Sequence, residues 1–189
     1  MLATCESDLA SFDKVINASK SSCIRIGSRY NVKCANVTTS SGHELQWANE
    51  IHYLGVYVTC SRHFQCSLCQ CKKSFYRAIN AIFGKVGRNS SEEVFLQLIY
   101  SKCIPVLIYG LECFDLNNTT KRALDFPVVR LLMRFFKTSN IDVVNECRTY
   151  FEFELPTEIL KKRSVKIMSK YSCSLNSWCR YLSQFDIER

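Results

Sequence analysis

Long apolar runs are missing from this sequence: no stretch reaches the ~18 uninterrupted apolar residues that a helix needs to cross a bilayer. The N-terminus has neither the basic segment nor the apolar segment of a secretory leader. Internal repeats and low-complexity tracts are also absent. These absences argue against a membrane-spanning or secreted chain, and we expect an intracellular protein, cytoplasmic or nuclear, with no membrane partner.

The composition is that of a globular protein with a basic surface. The 189 residues are 47% hydrophobic and 22% charged, enough to bury one core and a small second unit. The formal net charge is +8. Because Lys and Arg that neutralise phosphates release condensed counterions, this charge favours a polyanionic partner.

Cysteine is frequent, with 12 residues, and five residues of the types that bind metals, four cysteines and one histidine, lie in one short segment. This segment, the cysteine cluster, consists of Cys60, His63, Cys66, Cys69 and Cys71. Its two-residue gaps resemble zinc-ligand spacing. However, the last two cysteines are separated by one residue only, and no second ligand pair follows closely. We therefore predict no metal site and treat the cysteines as reduced.

Up to about residue 70 the pattern is mixed. Apolar residues at three- and four-residue steps predict a helix over 2–16, and a short strand follows over 23–27. Alternating and β-branched residues predict strands over 44–47 and 52–58, which the short link 48–50 would join as a hairpin. Small antiparallel pairing is expected.

After about residue 70 the apolar period changes to roughly 3.6, which predicts helices only. The predicted helices cover 72–88, 94–114, 120–137, 141–151 and 156–171, with a kink near Pro105. On the first, an apolar arc comprises Phe75, Ile79, Ile82, Phe83 and Val86, and the opposite arc carries Lys73, Arg77, Lys85 and Arg88. The cationic arc is either a polyanion-binding surface or an ordinary solvated face.

Several phrases occur in the order found near the end of the reverse transcriptase domain of non-LTR (LINE-type) retrotransposons, and the chain resembles that family over roughly residues 17–170. The phrases are NASKS at 17–21, CIRIG at 23–27, Trp47, YLGV at 53–56, KSFYRA at 73–78, NAIFGKVGR at 80–88 and SKCIPVLIYGLE at 101–112. Their order is more specific than any one phrase.

The resemblance implies an α+β fold in two parts. Residues 1–70 would be a small antiparallel palm remnant with the primer-grip hairpin, and residues 71–189 would be an α-helical thumb bundle with the helices that follow it. The turn Tyr53-Leu54-Gly55 would press on the 3′ end of the primer, where glycine permits close approach. Lys73, Arg77, Lys85 and Arg88 would lie along an RNA–DNA hybrid, the expected partner.

The resemblance also shows what is missing. The family holds two Mg²⁺ ions on palm aspartates, including an Asp-Asp pair. Here no two aspartates are adjacent, and the isolated Asp8, Asp13, Asp115, Asp125, Asp142 and Asp186 do not match the family's positions. No complete catalytic set and no cofactor are therefore expected in this chain. Lys20 matches a family lysine near the leaving pyrophosphate, and its alternative role is a solvated residue at a turn.

Three functional hypotheses follow. The chain is a fragment of an RNA-directed DNA polymerase that is inactive alone, or a basic module that binds RNA–DNA hybrid, or a helical interaction protein whose charge maintains solubility. Salt-dependent hybrid binding separates the second hypothesis from the third.

Overall fold

A computed structural model describes residues 2–86, 91–174 and 176. The predicted mixed α+β class is confirmed. The chain divides between Ser67 and Leu68 into two compact units. Among the described residues, the first unit contains all the strands and the second contains helices and loops without a strand. The prediction placed this change at residue 70. The assignment of the units to a palm and a thumb stays a prediction.

The first unit begins with helix α1, Leu2–Ala10, which is shorter than the predicted 2–16. A turn follows at once, and Asp13 has a φ of 53°, in the left-handed region that ends helical geometry. A single 3-10 turn, Ala18–Lys20, is capped by Asn17, whose side chain accepts a hydrogen bond from the Lys20 backbone N–H. Asn17 therefore starts a separate 3-10 turn, because α1 has already ended at Ala10.

Three short strands form the first sheet: β1 (Ser22–Cys23), β2 (Val37–Thr38) and β3 (Glu44–Trp47). The central strand β3 pairs antiparallel with β2 but parallel with β1. The prediction of purely antiparallel pairing is therefore wrong for β1. The reason is the long segment between β1 and β3, which is long enough for the crossover that a parallel pair requires.

The second sheet is a hairpin of β4 (Glu50–Tyr53) and β5 (Val56–Thr59). The prediction joined 44–47 to 52–58 through the link 48–50, and this pairing is wrong. The run 52–58 instead turns back on itself at Leu54 and Gly55, because both residues adopt positive φ values. The side chains of Val56 and Val58 are buried on one face of the hairpin.

Arg25 holds the long connection of the first unit in place. Its Nη1 atom donates hydrogen bonds to the carbonyl oxygens of Arg29 and Val32, at 3.0 and 2.7 Å. Its guanidinium lies 5.4 Å from the centroid of the Trp47 ring, and the indole N–H donates to the carbonyl of Ala35. This cation is thus used structurally, to close the loop onto β3.

The second unit is built from six α-helices in the described residues. These are α2 (Leu68–Val86), α3 (Glu92–Leu98), α4 (Ile104–Ile108), α5 (Asn118–Phe135), α6 (Ile141–Tyr150) and α7 (Pro156–Ser172). Most bounds lie within a few residues of the predicted ones. Asparagine or serine side chains cap the N-termini of α3, α5 and α6, as their sequences favour.

The predicted helix 94–114 is divided in the structure. A π-helical segment, Ile99–Cys103, connects α3 to α4, and α4 ends at Ile108 before Gly110, which has a φ of 70°. Pro105 cannot donate the backbone hydrogen bond of a regular turn, and a wider π turn accommodates that loss. The predicted irregularity near Pro105 is thus present as a π-helical turn.

The core of the second unit lies on these divided helices and on α5. Ile99, Leu107, Ile108, Leu124 and Val128 are all fully buried. None of the described helices combines the length and the apolar composition that crossing a membrane requires.

A polar network fixes the start of α7. The Asp125 carboxylate of α5 accepts from the backbone N–H and the hydroxyl of Thr157, at 3.1 and 2.6 Å. The Glu158 carboxylate accepts from the Leu155 backbone N–H and pairs with Arg148 of α6, at 2.6 and 2.8 Å. Two carboxylates therefore satisfy donors at a helix N-terminus that would otherwise lack partners.

Candidate nucleic-acid interface

The β4–β5 hairpin presents apolar side chains at its tip. Leu54 and Gly55 form the two-residue turn, with φ values of 48° and 83°, the pattern of a type I′ turn. The side chains of Tyr53 and Leu54 are 65% and 74% exposed. The residues for which the resemblance implies a primer grip therefore form an exposed tip.

Leucine is an unfavourable residue at this turn position. An L-residue in the left-handed region costs roughly 1–2 kcal/mol, and glycine, asparagine and aspartate tolerate it best. Leu54 accepts this cost without burying its side chain. Strained, exposed apolar residues concentrate at contact sites, so the tip is a candidate site for a partner.

A stacked pair lies on the solvent face of the same hairpin. His52 and Tyr57 are cross-strand partners, and their ring centroids are 4.4 Å apart at an interplanar angle of 23°. Such pairs stabilise a two-stranded sheet, which would otherwise be marginal. The pair keeps the strands in register behind the turn.

Helix α2 carries a cationic face without any acidic residue. Lys73, Arg77 and Lys85 are exposed, and none of them forms an ion pair within the residues that the structure describes. Phe75 and Ile79 are buried on the opposite face, as the helical pattern predicts. Arg88, the fourth predicted cation, lies outside the described residues.

Phe83 departs from the predicted apolar arc of α2. Its side chain is 37% exposed, and its ring lies 4.7 Å from that of Phe95 between centroids. It therefore covers the edge of the core.

Lys20 ends the 3-10 turn of the first unit, and its side chain is exposed. In the described part of the chain it has no ion pair. This position is compatible with contact to a phosphate and equally with the solvated role. The leaving-group role of Lys20 stays a prediction.

No metal centre is found in the described residues, where no three His, Cys, Asp or Glu side chains are grouped closely enough to hold an ion. In the cysteine cluster, the Cys60 thiol donates to the carbonyl of Tyr30, and burial raises the pKa of the Cys71 thiol. Burial therefore favours the neutral thiol of Cys71, whereas zinc binds the thiolate.

The charge is distributed unequally between the two units. Residues 1–67 contain six Lys or Arg and five Asp or Glu, a net charge of +1. The rest of the sequence carries the remaining +7. Electrostatic attraction to a polyanion therefore arises mainly from residues 68–189.

Phe126 on α5 was not singled out from the sequence. It is 59% exposed, and the guanidinium of Arg130 lies 5.9 Å from its ring centroid. Its signal was available, because Phe126 lies off the buried arc of α5, which includes Leu124, Val128 and Leu132.

No protein-family model matches this sequence, and neither a curated protein nor a solved structure matches it significantly. The resemblance to non-LTR reverse transcriptases therefore rests on the sequence phrases alone.

Proposed function

We propose that this chain is the downstream, non-catalytic part of an RNA-directed DNA polymerase of the non-LTR type, and that it holds a primer–template without performing chemistry. The ordered phrases of the sequence support this proposal. The absence of an Asp-Asp pair makes independent polymerisation unexpected.

The observation that carries the proposal is the hairpin tip. A primer grip needs a tight turn whose backbone and apolar side chains can approach a sugar-phosphate backbone. The turn at Leu54 and Gly55 has this shape, and the exposed side chains of Tyr53 and Leu54 supply apolar contact. The strain at Leu54 is consistent with a residue retained for contact rather than for folding.

The cationic face of α2 supports the second half of the proposal. Lys73 and Arg77 are one helical turn apart, and Lys85 lies further along the same acid-free helix. Such a row can follow the phosphates of a hybrid and recognise its shape without its sequence. The same row would also serve a basic nucleic-acid-binding module that no longer belongs to a polymerase.

Replacing Lys73, Arg77 and Lys85 together with alanine is expected to weaken binding of a labelled RNA–DNA hybrid. Each lost phosphate contact reduces the slope of log affinity against log salt by roughly 0.7–0.9. The full chain is titrated with the hybrid over a salt series, by fluorescence anisotropy. The matched control is a variant in which Lys14, Lys33 and Arg62 are replaced with alanine. It loses the same charge from exposed positions of the first unit.

The proposal fails if the unmodified chain does not bind hybrid at low salt, an outcome that favours the helical interaction protein. Equal losses in the two variants would show that net charge alone drives the binding. A selective loss in the α2 variant would support a thumb-like surface.

Leu54→Asn should separate stability from function. Asparagine tolerates positive φ better than leucine, so the free energy of unfolding of the first unit should rise by about 0.5–1 kcal/mol. Hybrid with a recessed primer end should nevertheless bind more weakly, because the exposed apolar contact is removed. Urea denaturation followed by tyrosine and tryptophan fluorescence measures the first effect, and anisotropy measures the second. Unchanged or tighter binding would argue against the grip.

A further inference from the structure

Helix α5 carries another exposed surface, to which the proposed function gives no role. It is a row of four residues spaced one turn apart. The row comprises Arg122, Phe126, Arg130 and Arg134, and we refer to it as the α5 ridge. All four side chains are exposed. Positions separated by four residues lie on one face of a helix, so the ridge is continuous over about 18 Å.

The charged side chains of the α5 ridge are all cationic. Asp125 is the only acidic residue of α5, and its carboxylate is occupied by Thr157 at the start of α7. None of the three ridge arginines has an ion pair within residues 2–86 and 91–174. Unpaired arginines in a row attract an extended polyanion.

The centre of the ridge is aromatic. Phe126 exposes more than half of its side chain, and Arg130 extends over its ring at 5.9 Å from the centroid. Phe126 therefore lies between Arg122 and Arg130 along the helix, and the guanidinium of Arg130 covers one face of its ring. Arginine and aromatic planes that alternate along a surface are the groups on which unpaired nucleobases stack.

We propose that the α5 ridge binds single-stranded nucleic acid, with the three arginines contacting phosphates of one strand and Phe126 stacking on one base. A strand with splayed bases fits better than a duplex, because bases within a duplex are already stacked on each other and shield their faces from a protruding ring. The proposal goes beyond the grip and the thumb, and it holds whether or not α2 binds hybrid.

The test measures binding of a labelled single-stranded oligouridylate to the full chain by anisotropy. Phe126→Ala should weaken binding by about fivefold or more, in line with the ~1–3 kcal/mol that base stacking contributes by alanine substitution. Phe126→Trp should retain binding, whereas Phe126→Leu, which is apolar without a ring, should lose it. Because Phe126 is exposed, each variant should keep the wild-type circular dichroism spectrum.

The cations are tested separately. Replacement of Arg122, Arg130 and Arg134 with glutamine should lower the salt slope for the oligouridylate by about 2. The Lys73, Arg77 and Lys85 variant serves as the control, because it should weaken hybrid binding more than single-strand binding. If α2 does not bind hybrid, its variant will not weaken binding in the hybrid assay. If the α5 ridge does not bind single strands, its variants will not weaken binding in the oligouridylate assay.

Two outcomes would overturn the ridge proposal. One is equal affinity for oligouridylate in Phe126→Ala and in the unmodified chain. The other is competition by a polyglutamate peptide as effective as competition by unlabelled oligouridylate, which would identify the ridge as a surface for an acidic protein.

Discussion

Replacing Asp125 with alanine should lower the free energy of unfolding of the helical unit by about 2–3 kcal/mol. The substitution removes both acceptors of Thr157 and leaves a backbone N–H and a hydroxyl at the N-terminus of α7 without partners. A fully buried donor left unsatisfied costs about 1–3 kcal/mol, and each of the two donors in this part-buried site should cost an amount near the lower end of that range. The measurement is urea denaturation followed by far-UV circular dichroism.

Asp125→Asn is the matched variant. Asparagine has nearly the same shape, and its amide can accept from the Thr157 N–H and donate to the hydroxyl oxygen. We therefore expect it to lose less than about 1 kcal/mol at neutral pH. Equal losses in the alanine and asparagine variants would show that the negative charge, rather than the pair of hydrogen bonds, holds α5 to α7.

The difference in stability between the wild type and Asp125→Asn should depend on pH. Burial raises the pKa of the Asp125 carboxyl, with Glu158 acting in the same direction, while the Thr157 bonds and Arg148 oppose it. The folded state therefore holds this proton more readily than the unfolded state does. Relative to Asp125→Asn, the wild type should gain stability as the pH falls through the raised pKa, until the unfolded value of about 3.9 is reached. A relative loss of stability over that window would contradict the assignment.

Limited proteolysis should cut the first unit at least about tenfold faster than the helical unit. Of the 21 buried apolar residues in the described chain, only Leu45, Val56 and Val58 belong to residues 1–67. The strands of that unit are two to four residues long, and β1 and β2 are sheet edges. Few buried contacts permit local opening, and each 1.4 kcal/mol of difference in opening changes cleavage about tenfold.

Dilute trypsin and mass spectrometry measure this difference, because exposed cations occur in both units. Lys14, Lys33 and Arg62 should be cleaved early, and Lys73 and Arg122, which lie within helices, late. A stable fragment that begins after Arg62 is the expected product. Equal protection of the two groups of sites would show that the first unit is as stable as the second.

The local pattern of the sequence was sufficient for most helices. The 3.6-residue period located α2, α5, α6 and α7, and the buried residues of α2 and α5 lie on one arc of each helix. It also placed Phe75 and Ile79 opposite Lys73 and Arg77 on α2. Capping by Ser91 was predictable because the cap bonds a residue three positions away.

Strand pairing was not predictable in the same way. The run 52–58 reads as one strand, and only its turn at Leu54 and Gly55 makes it a hairpin. Leucine gives no signal for positive φ, so the turn lacks the usual asparagine-glycine marker. The parallel pairing of β1 with β3 depends on a contact between segments far apart in the sequence, and local propensity carries no information about it.

The sequence alone therefore determined the α+β class, the position of the helices, the cationic arc of α2 and the absence of an Asp-Asp pair, because composition and periodicity are local properties. Tertiary structure decided which charged side chains form hydrogen bonds within the protein and which remain exposed to solvent. Asp125 and Arg130 lie on the same helix, yet Asp125 is bound to Thr157 whereas Arg130 remains exposed over Phe126. Only the packing of α7 against α5 makes that distinction, since it desolvates one face of α5 and leaves the other in water.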